Sequence, residues 1–191
     1  MFIPRQETET LVDVALELLK VRQKPLVLDL CTGTGAIGLT IAREVPTSYV
    51  VCTDIDPKAL RLARKNAKTL GVEDRVSFYL SDLFEGLPEV SFDVILCNPP
   101  YIPSGLIKGL QPEITIYEPQ RALDGGPDGL DFYRRILGSA RDFLKPEGYL
   151  IFELGIDQNA KVCEIAKSMG YNHLRTERDL GGVERVVVLR K

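Results

Sequence analysis

The chain has few of the residues that build metal sites, disulfide frameworks or histidine-based active sites. Its 191 residues contain a single histidine, His173, and four cysteines that are far apart and form no C-x-x-C pair. A zinc site or histidine catalysis would therefore rest on one candidate near the C-terminal end. We expect reduced thiols that behave as small apolar side chains, and no metal ion.

Long apolar runs are also missing. No segment approaches the roughly 20 apolar residues that a membrane-spanning helix requires. No signal-peptide pattern opens the chain, because Arg5, Glu7 and Glu9 come before any apolar stretch. These absences predict a cytoplasmic protein with no membrane partner, and we further expect a monomer.

Positive charge is in slight deficit. The chain has 24 Lys and Arg against 27 Asp and Glu, a net charge of −3. This balance counts against a nucleic-acid partner, since such proteins gain affinity by neutralising phosphates. One basic stripe at helical spacing is interpreted as a solvated helix face; it consists of Lys58, Arg61, Arg64, Lys65 and Lys68.

Strand and helix patterns alternate along the chain, which predicts a mostly parallel sheet covered by helices on both faces. The sequence contains no linker, so residues 1–191 are expected to form one domain. Gly181-Gly182 predicts a tight reversal, which makes the last strand antiparallel. Seven strands are expected near residues 25–30, 49–54, 75–80, 92–97, 148–154, 171–176 and 184–190. Helices are expected over residues 8–20, 36–44, 57–70, 130–144 and 157–169, and a long polar loop over 102–128.

The four residues Asn98-Pro99-Pro100-Tyr101, here called the acceptor corner, carry the most chemical information. They follow the apolar run 92–97, which is typical of a buried parallel strand. Two prolines donate no backbone N–H and hold φ near about −65°, so the turn is stiff and offers acceptors. The side-chain carbonyl of Asn98 adds another. Such a corner suits the gripping of a planar NH2 group by both hydrogens; a strand-ending Pro-Pro turn is the structural alternative.

Residues 31–38, here called the glycine loop, join the first predicted strand to its helix. Gly33 and Gly35 let the backbone turn sharply and approach a ligand, and the helix N-terminus directs free N–H groups to the same place. Asp54 ends the next strand, where a carboxylate can accept from both ribose hydroxyls of an adenosine-containing ligand. Asp56 competes for this role, but it precedes Pro57 and is better explained as a helix cap.

A further acid, Asp82, follows the third predicted strand. Its carboxylate could accept from an adenine amino group, with Leu83 against the ring, although a turn-forming aspartate is the structural alternative. Residues 33–38 also fit G-x-G-x-x-G, so a nicotinamide dinucleotide is a rival ligand.

Together, the glycine loop, Asp54, Asp82 and the acceptor corner resemble class I S-adenosylmethionine-dependent methyltransferases. More narrowly, the chain resembles the HemK/PrmC family, the peptide chain release factor glutamine methyltransferases. The matching segments follow one another in order over nearly the whole chain: Ile3-Pro4-Arg5-Gln6-Glu7-Thr8-Glu9, residues 29–38, the acceptor corner, Glu118-Pro119, Ala122-Leu123-Asp124-Gly125-Gly126, Asp128-Gly129-Leu130 and Tyr133-Arg134-Arg135-Ile136.

The resemblance implies a Rossmann-like α/β fold, S-adenosyl-L-methionine as cofactor with S-adenosyl-L-homocysteine as product, and a release factor as protein partner. It assigns the cofactor to Cys31, Thr32, Gly33, Thr34, Gly35, Asp54, Ile55, Asp82, Leu83 and Asn98. It assigns the substrate to Asn98, Pro99, Pro100, Tyr101 and Phe2. In the catalytic pair, the Asn98 side-chain oxygen and the Pro99 carbonyl accept the two N–H bonds of a glutamine amide, and Tyr101 packs against that amide.

Two features depart from the family pattern. The family's loop usually begins with glycine where this chain has Cys31, which leaves the backbone less free at that position. Family members also carry a helical domain before the Ile-Pro-Arg segment, and the sequence begins almost at that segment, so the resemblance covers the catalytic domain.

Several alternatives stay open at this point. Asn-Pro-Pro-Tyr also resembles the turn of adenine and guanine amino methyltransferases, and a ribosomal-protein glutamine is another planar amide. An NAD-dependent oxidoreductase lacks support, because the chain has no Tyr-x-x-x-Lys pair. A nucleotide-binding module without chemistry is the alternative outside the enzymes.

Overall fold

The structure is a computed structural model that describes residues 7–111 and 119–191. Its seven strands form one sheet in the order β3-β2-β1-β4-β5-β7-β6. Every neighbouring pair is parallel except those that involve β7, which runs antiparallel to both β5 and β6. The strands are β1 (Leu26–Leu30), β2 (Tyr49–Asp54), β3 (Val76–Leu80), β4 (Phe92–Cys97), β5 (Leu144–Glu153), β6 (Asn172–Arg178) and β7 (Glu184–Arg190). The predicted sheet, with its antiparallel last strand, is confirmed.

Helices cover both faces of the sheet, as expected. The helices are α1 (Glu7–Leu19), α2 (Ala36–Glu44), α3 (Pro57–Leu70), α4 (Asp131–Phe143) and α5 (Asn159–Ser168). The first three pack on one face, where Leu11, Ile41 and Ala67 join a common apolar cluster with the sheet. The other two pack on the opposite face around Tyr133 and Val162. Each helix therefore buries one apolar stripe against a strand layer.

The limits of α3 follow from its end residues. Asp56 caps the helix, since its carboxylate accepts a hydrogen bond of 2.8 Å from the backbone N–H of Lys58, and Pro57 occupies the first turn. Gly71 ends the helix in the left-handed conformation, at φ 66°. The predicted solvated face is confirmed, because all five of its basic residues are exposed.

The fifth strand and the loop before it differ from expectation. β5 begins at Leu144, four residues before the predicted start, because Leu144 pairs with Phe92 before the register shifts at the bulge that precedes Tyr149. The predicted loop 102–128 contains two short 3₁₀ turns, Ser104–Gly109 and Gln120–Ala122, and a bridge between Ile102 and Asp124. Residues 112–118 of that loop lie outside the described residues.

Three general features bear on the expectations from composition. In the described part of the chain, no helix is long and apolar enough to cross a membrane. No three His, Cys, Asp or Glu side chains of residues 7–111 and 119–191 cluster as a metal ion would require. All four cysteines are free thiols, with Cys52 and Cys97 buried.

A buried acid of β4, Asp93, ties the turn after α1 to β1 and β5. Asp93 accepts hydrogen bonds from Arg22 at 2.9 Å, from the backbone N–H of Leu26 at 2.8 Å and from Lys145 at 2.7 Å. Burial alone would raise the pKa of Asp93, but the bonds from Lys145 and Leu26 outweigh it and hold this pKa below its usual value. In the folded protein the Asp93 carboxyl group is therefore ionised at neutral pH.

We expect Asp93→Ala to lower the free energy of unfolding by about 2–4 kcal/mol, because it leaves the partly buried N–H of Leu26 without its acceptor and removes the partner of two cations. Urea unfolding monitored by circular dichroism measures the change. Asp74→Ala, at an exposed position, is the control and should change stability by less than about 0.5 kcal/mol. Equal losses in the two variants would contradict the role given to Asp93.

Candidate active site

The site lies where the strand order reverses, between β1 and β4. These strands are parallel neighbours, with Leu30 opposite Cys97. The next residues of the two strands, Cys31 and Asn98, therefore leave the sheet side by side. Because the connections after β1 and β4 go to opposite faces, a crevice opens at this edge, as in other open α/β sheets. The glycine loop and the acceptor corner thus form facing walls.

The glycine loop depends on left-handed backbone at three positions. Cys31, Gly33 and Gly35 have φ values of 57°, 56° and 83°. At Gly35 a side chain is excluded twice, since a Cβ atom would also lie 2.7 Å from the side chain of Leu39. Cys31 adopts the conformation although it has a Cβ, which costs about 1 kcal/mol. Cys31, which stands where the family usually has glycine, is therefore at a position that requires a left-handed backbone.

A buried aspartate supports the loop from below. One carboxylate oxygen of Asp29 accepts hydrogen bonds from the Thr32 hydroxyl at 2.5 Å and from the backbone N–H of Gly38 at 2.9 Å. Its other oxygen is buried and has no hydrogen-bond partner among the described residues. Burial, opposed by those two hydrogen bonds, raises the pKa of Asp29 to about 7. The Asp29 carboxyl group is therefore close to half protonated at neutral pH.

Asp54 faces the same loop from the end of β2. Its two carboxylate oxygens accept from the backbone N–H groups of Gly33 and Asp56, both at 2.8 Å. Desolvation raises the pKa of Asp54, although both hydrogen bonds favour the charged form. Each oxygen retains a lone pair after these bonds, so the carboxylate can still accept from a ligand hydroxyl. Asp56, by contrast, caps α3 and pairs with Arg121 at 2.5 Å.

The acceptor corner is held by a segment from much later in the chain. Ile102 donates to the carbonyl of Leu123 and accepts from the N–H of Gly125, while the side chain of Gln158 donates to the carbonyl of Tyr101 at 2.8 Å. A Cβ at Gly125 would lie 2.8 Å from the Tyr101 backbone, so only glycine permits this close approach. Gly125 therefore serves to fix the corner.

The two walls enclose one open cavity of about 240 Å³. Most of the side chains that the sequence assigned to cofactor or substrate line it: Cys31, Thr32, Gly33, Thr34, Asp54, Ile55, Asp82, Leu83, Asn98, Pro99, Pro100 and Tyr101. Gly35 does not line it and instead packs beneath the loop against Leu39. Phe2 lies outside the described residues.

Sequence reasoning missed several lining residues that come from distant elements. Thr8 enters from the first turn of α1, Arg121 from the loop before α4, and Phe132 and Arg135 from α4 itself. Arg135 donates to a carboxylate oxygen of Asp82 at 2.8 Å, so this acid is held in the wall by an ion pair. Thr8 and Arg135 carried a signal in the sequence, as parts of the family segments 3–9 and 133–136, but no role was assigned to either.

The fold is that of the class I methyltransferases. A ribosomal protein L11 methylase from Lactobacillus delbrueckii subsp. bulgaricus superposes with a TM-score of 0.70 at 17% identity, covering 98% of this chain and 80% of that one. An RNA methyltransferase from Salinibacter ruber, solved in complex with S-adenosyl-L-homocysteine, gives a TM-score of 0.61 at 24% identity, covering 100% and 93%. The model of the methyltransferase small domain matches residues 8–110.

Sequence comparison identifies the family within the class I methyltransferases to which this chain belongs. A release factor glutamine methyltransferase from Clostridium acetobutylicum is 41% identical over 190 residues, which are 98% of this chain and 67% of that protein. The chain belongs to the family of release factor glutamine methyltransferases. It spans about two thirds of the length of the curated relatives that it matches.

The raised pKa of Asp29 predicts a pH-dependent stability. Between about pH 4 and about pH 7 the folded state keeps a proton that the unfolded chain has released, so rising pH destabilises the folded state. Asp29→Asn removes this titration. From about pH 5 to about pH 8, the free energy of unfolding of the variant should therefore rise relative to wild type, by on the order of 2–3 kcal/mol.

Urea unfolding at the two pH values measures this difference. Asp74→Asn, which changes an exposed aspartate in the same way, should follow the wild-type pH dependence. Parallel curves for wild type and Asp29→Asn would show that Asp29 is already ionised at the lower pH.

Proposed function

We propose that this chain transfers a methyl group from S-adenosyl-L-methionine to the side-chain amide nitrogen of the glutamine in the Gly-Gly-Gln motif of a peptide chain release factor. One observation carries the proposal: a rigid cluster of hydrogen-bond acceptors faces a glycine loop and a ribose-type acid across a single cavity. The names of the relatives favour a release factor glutamine over other planar amines. Family membership also favours this cofactor over the nicotinamide alternative.

The lining residues fit the proposed cofactor. Gly33 has open space where a Cβ would stand, so its backbone is accessible to a ligand. Asp54 offers acceptors for ribose hydroxyls, and Asp82 with Leu83 forms a polar and apolar pair suited to an adenine edge and face. When bound, S-adenosyl-L-methionine supplies an electrophilic methyl group on a sulfonium. The neighbour from Salinibacter ruber holds the corresponding product on a similar fold.

The acceptor corner meets the chemical difficulty of the reaction. An amide nitrogen is a poor nucleophile because its lone pair is delocalised into the carbonyl. The Asn98 side-chain oxygen and the Pro99 carbonyl each accept a hydrogen bond from the NH2 group of the substrate amide. These bonds orient the amide nitrogen toward the cavity and stabilise the positive charge that develops on it. Orientation of this kind contributes on the order of 7–11 kcal/mol in favourable cases.

No general base is needed before the transfer. Once the nitrogen is alkylated it becomes far more acidic, and its proton can leave to solvent. Tyr101 completes the corner by lining the cavity beside Pro100, where its ring can pack against a flat amide. These roles require neither a histidine nor a metal ion.

Asn98→Ala should lower kcat by about 10²- to 10³-fold, because one of the two acceptors of the developing charge is lost. The Kd for S-adenosyl-L-methionine should change little, since the glycine loop and Asp54 are intact. Transfer of label from methyl-labelled cofactor to a Gly-Gly-Gln release factor measures turnover, and calorimetric titration measures binding. Unchanged turnover would remove the central assignment.

Asp54→Ala should have the reverse effect. Loss of a charged acceptor should weaken cofactor binding by about 10- to 100-fold while kcat at saturating cofactor stays close to wild type. The same titration and turnover assay apply. An unaltered Kd would place the ribose elsewhere in the cavity.

The substrate is tested with the wild-type chain. Incubation with labelled cofactor and, in separate reactions, a Gly-Gly-Gln release factor, the same factor with Gly-Gly-Ala, and bare DNA identifies the acceptor. Label is expected on the first alone. Label on DNA but not on the release factor would overturn the proposed substrate.

A further inference from the structure

A second buried acid lies behind the acceptor corner, and the proposed chemistry does not use it. Glu153 ends β5 with only 1% of its surface exposed. One carboxylate oxygen accepts from the hydroxyl of Thr8 at 2.7 Å, and the other from the hydroxyl of Tyr101 at 3.2 Å. Its backbone carbonyl accepts from the hydroxyl of Tyr133 at 2.8 Å, which fixes the end of the strand.

The carboxylate determines the direction of the hydrogen bonds around it. The Thr8 hydroxyl donates to a carboxylate oxygen of Glu153, and a hydroxyl has only one proton to give. The Thr8 oxygen is then left as an acceptor toward Asn98, whose amide nitrogen lies 3.4 Å away. The Asn98 NH2 group therefore belongs on the Thr8 side, and its carbonyl oxygen is left for a ligand.

The opposite orientation of Asn98 would defeat the site. A flipped amide would present NH2 to the NH2 of the substrate, and two donors facing each other repel. Nothing in the shape of an asparagine side chain distinguishes the two orientations, because its oxygen and NH2 group are nearly equal in size. Only the polarity of the surrounding groups selects one of them.

We infer that Glu153 and Thr8 are positioning residues that fix the amide orientation of Asn98, so that its oxygen faces the substrate amide. This inference rests on the proposed function for its consequence in turnover, but not for the orientation itself. The same carboxyl group also restrains Tyr101 through its hydroxyl, so one buried side chain orients both residues at the ends of the acceptor corner. Because Thr8 belongs to the first turn of α1, the docking of that helix is part of the site.

Glu153→Gln is the sharpest test because it conserves size and removes the polarity. A glutamine can donate to Thr8, which frees Thr8 to donate to the Asn98 oxygen and permits the flipped amide. We expect kcat to fall by about 10- to 100-fold, as for other small displacements of reacting groups. The KM for the release factor and the Kd for S-adenosyl-L-methionine should stay within about threefold of wild type, since the binding surfaces are otherwise intact.

A matched control lies on the same helix. Glu17 of α1 pairs with Arg175 of β6 at 2.6 Å on the surface, so Glu17→Gln makes the same chemical change at an α1 contact remote from the corner. It should leave kcat unchanged. Two further variants cover the case in which Glu153→Gln fails to fold: Thr8→Val should reproduce the loss of kcat, and Thr8→Ser, which keeps the hydroxyl, should restore most of it.

A spectroscopic measurement tests the orientation without any turnover. The chain has four asparagines, so asparagine-selective ¹⁵N labelling gives four side-chain NH2 signals, and Asn98→Ala assigns the one of interest. Glu153→Gln and Thr8→Val should shift that signal, whereas Glu17→Gln and Thr8→Ser should leave it near its wild-type position. If wild type methylates no release factor but these shifts occur, the proposed function fails and the positioning role stands. Equal effects of Glu153→Gln and Glu17→Gln on the Asn98 signal would overturn the inference.

Discussion

The pairing of β1 with β4 is the constraint on which the site depends. With Leu30 opposite Cys97, both strands end at the same level, and the glycine loop and the acceptor corner leave the sheet as neighbours. A shift of one residue in this register would turn Asn98 to the other face of the sheet. The register is strongly specified, because β4 is buried along its whole length between two helix layers. Precise placement of the glycine loop beside the acceptor corner thus follows from the burial of ordinary apolar side chains.

Two buried acids, Asp29 and Glu153, support the two walls in different ways. Asp29 holds the glycine loop through Thr32 and Gly38 and is raised in pKa, since few donors offset its desolvation. Each carboxylate oxygen of Glu153 accepts a hydrogen bond from a hydroxyl, one from Thr8 and one from Tyr101. These bonds determine which groups at the corner donate and which accept. In a low-dielectric interior the direction of a hydrogen bond is strongly preferred, because exchanging donor and acceptor leaves a buried polar group without a partner. Asp29 therefore supports the backbone of the glycine loop, whereas Glu153 supports the orientation of side chains at the acceptor corner.

Much of this arrangement was predictable from local patterns. The bounds of β2, β4, α2 and α3 agree with the expectation, since caps, apolar runs and glycine stops act within a few residues of one another. The early start of β5 was not predicted, because the strand reaches back to Leu144 only through a bulge. Thr8, Arg121 and Glu153 were also missed as site residues. Each reaches the cavity or the corner only through tertiary packing, and none sits in a spacing that local chemistry explains.

Cys31 shows what the first position of the loop requires. The backbone there needs a φ near 57°, and the chain meets this need with a residue other than glycine. Asparagine or another small unbranched residue should be tolerated at the same modest cost, whereas valine or isoleucine should not. A family signature that demands glycine at this position would exclude this protein. A signature that demands only a left-handed backbone conformation there would include it.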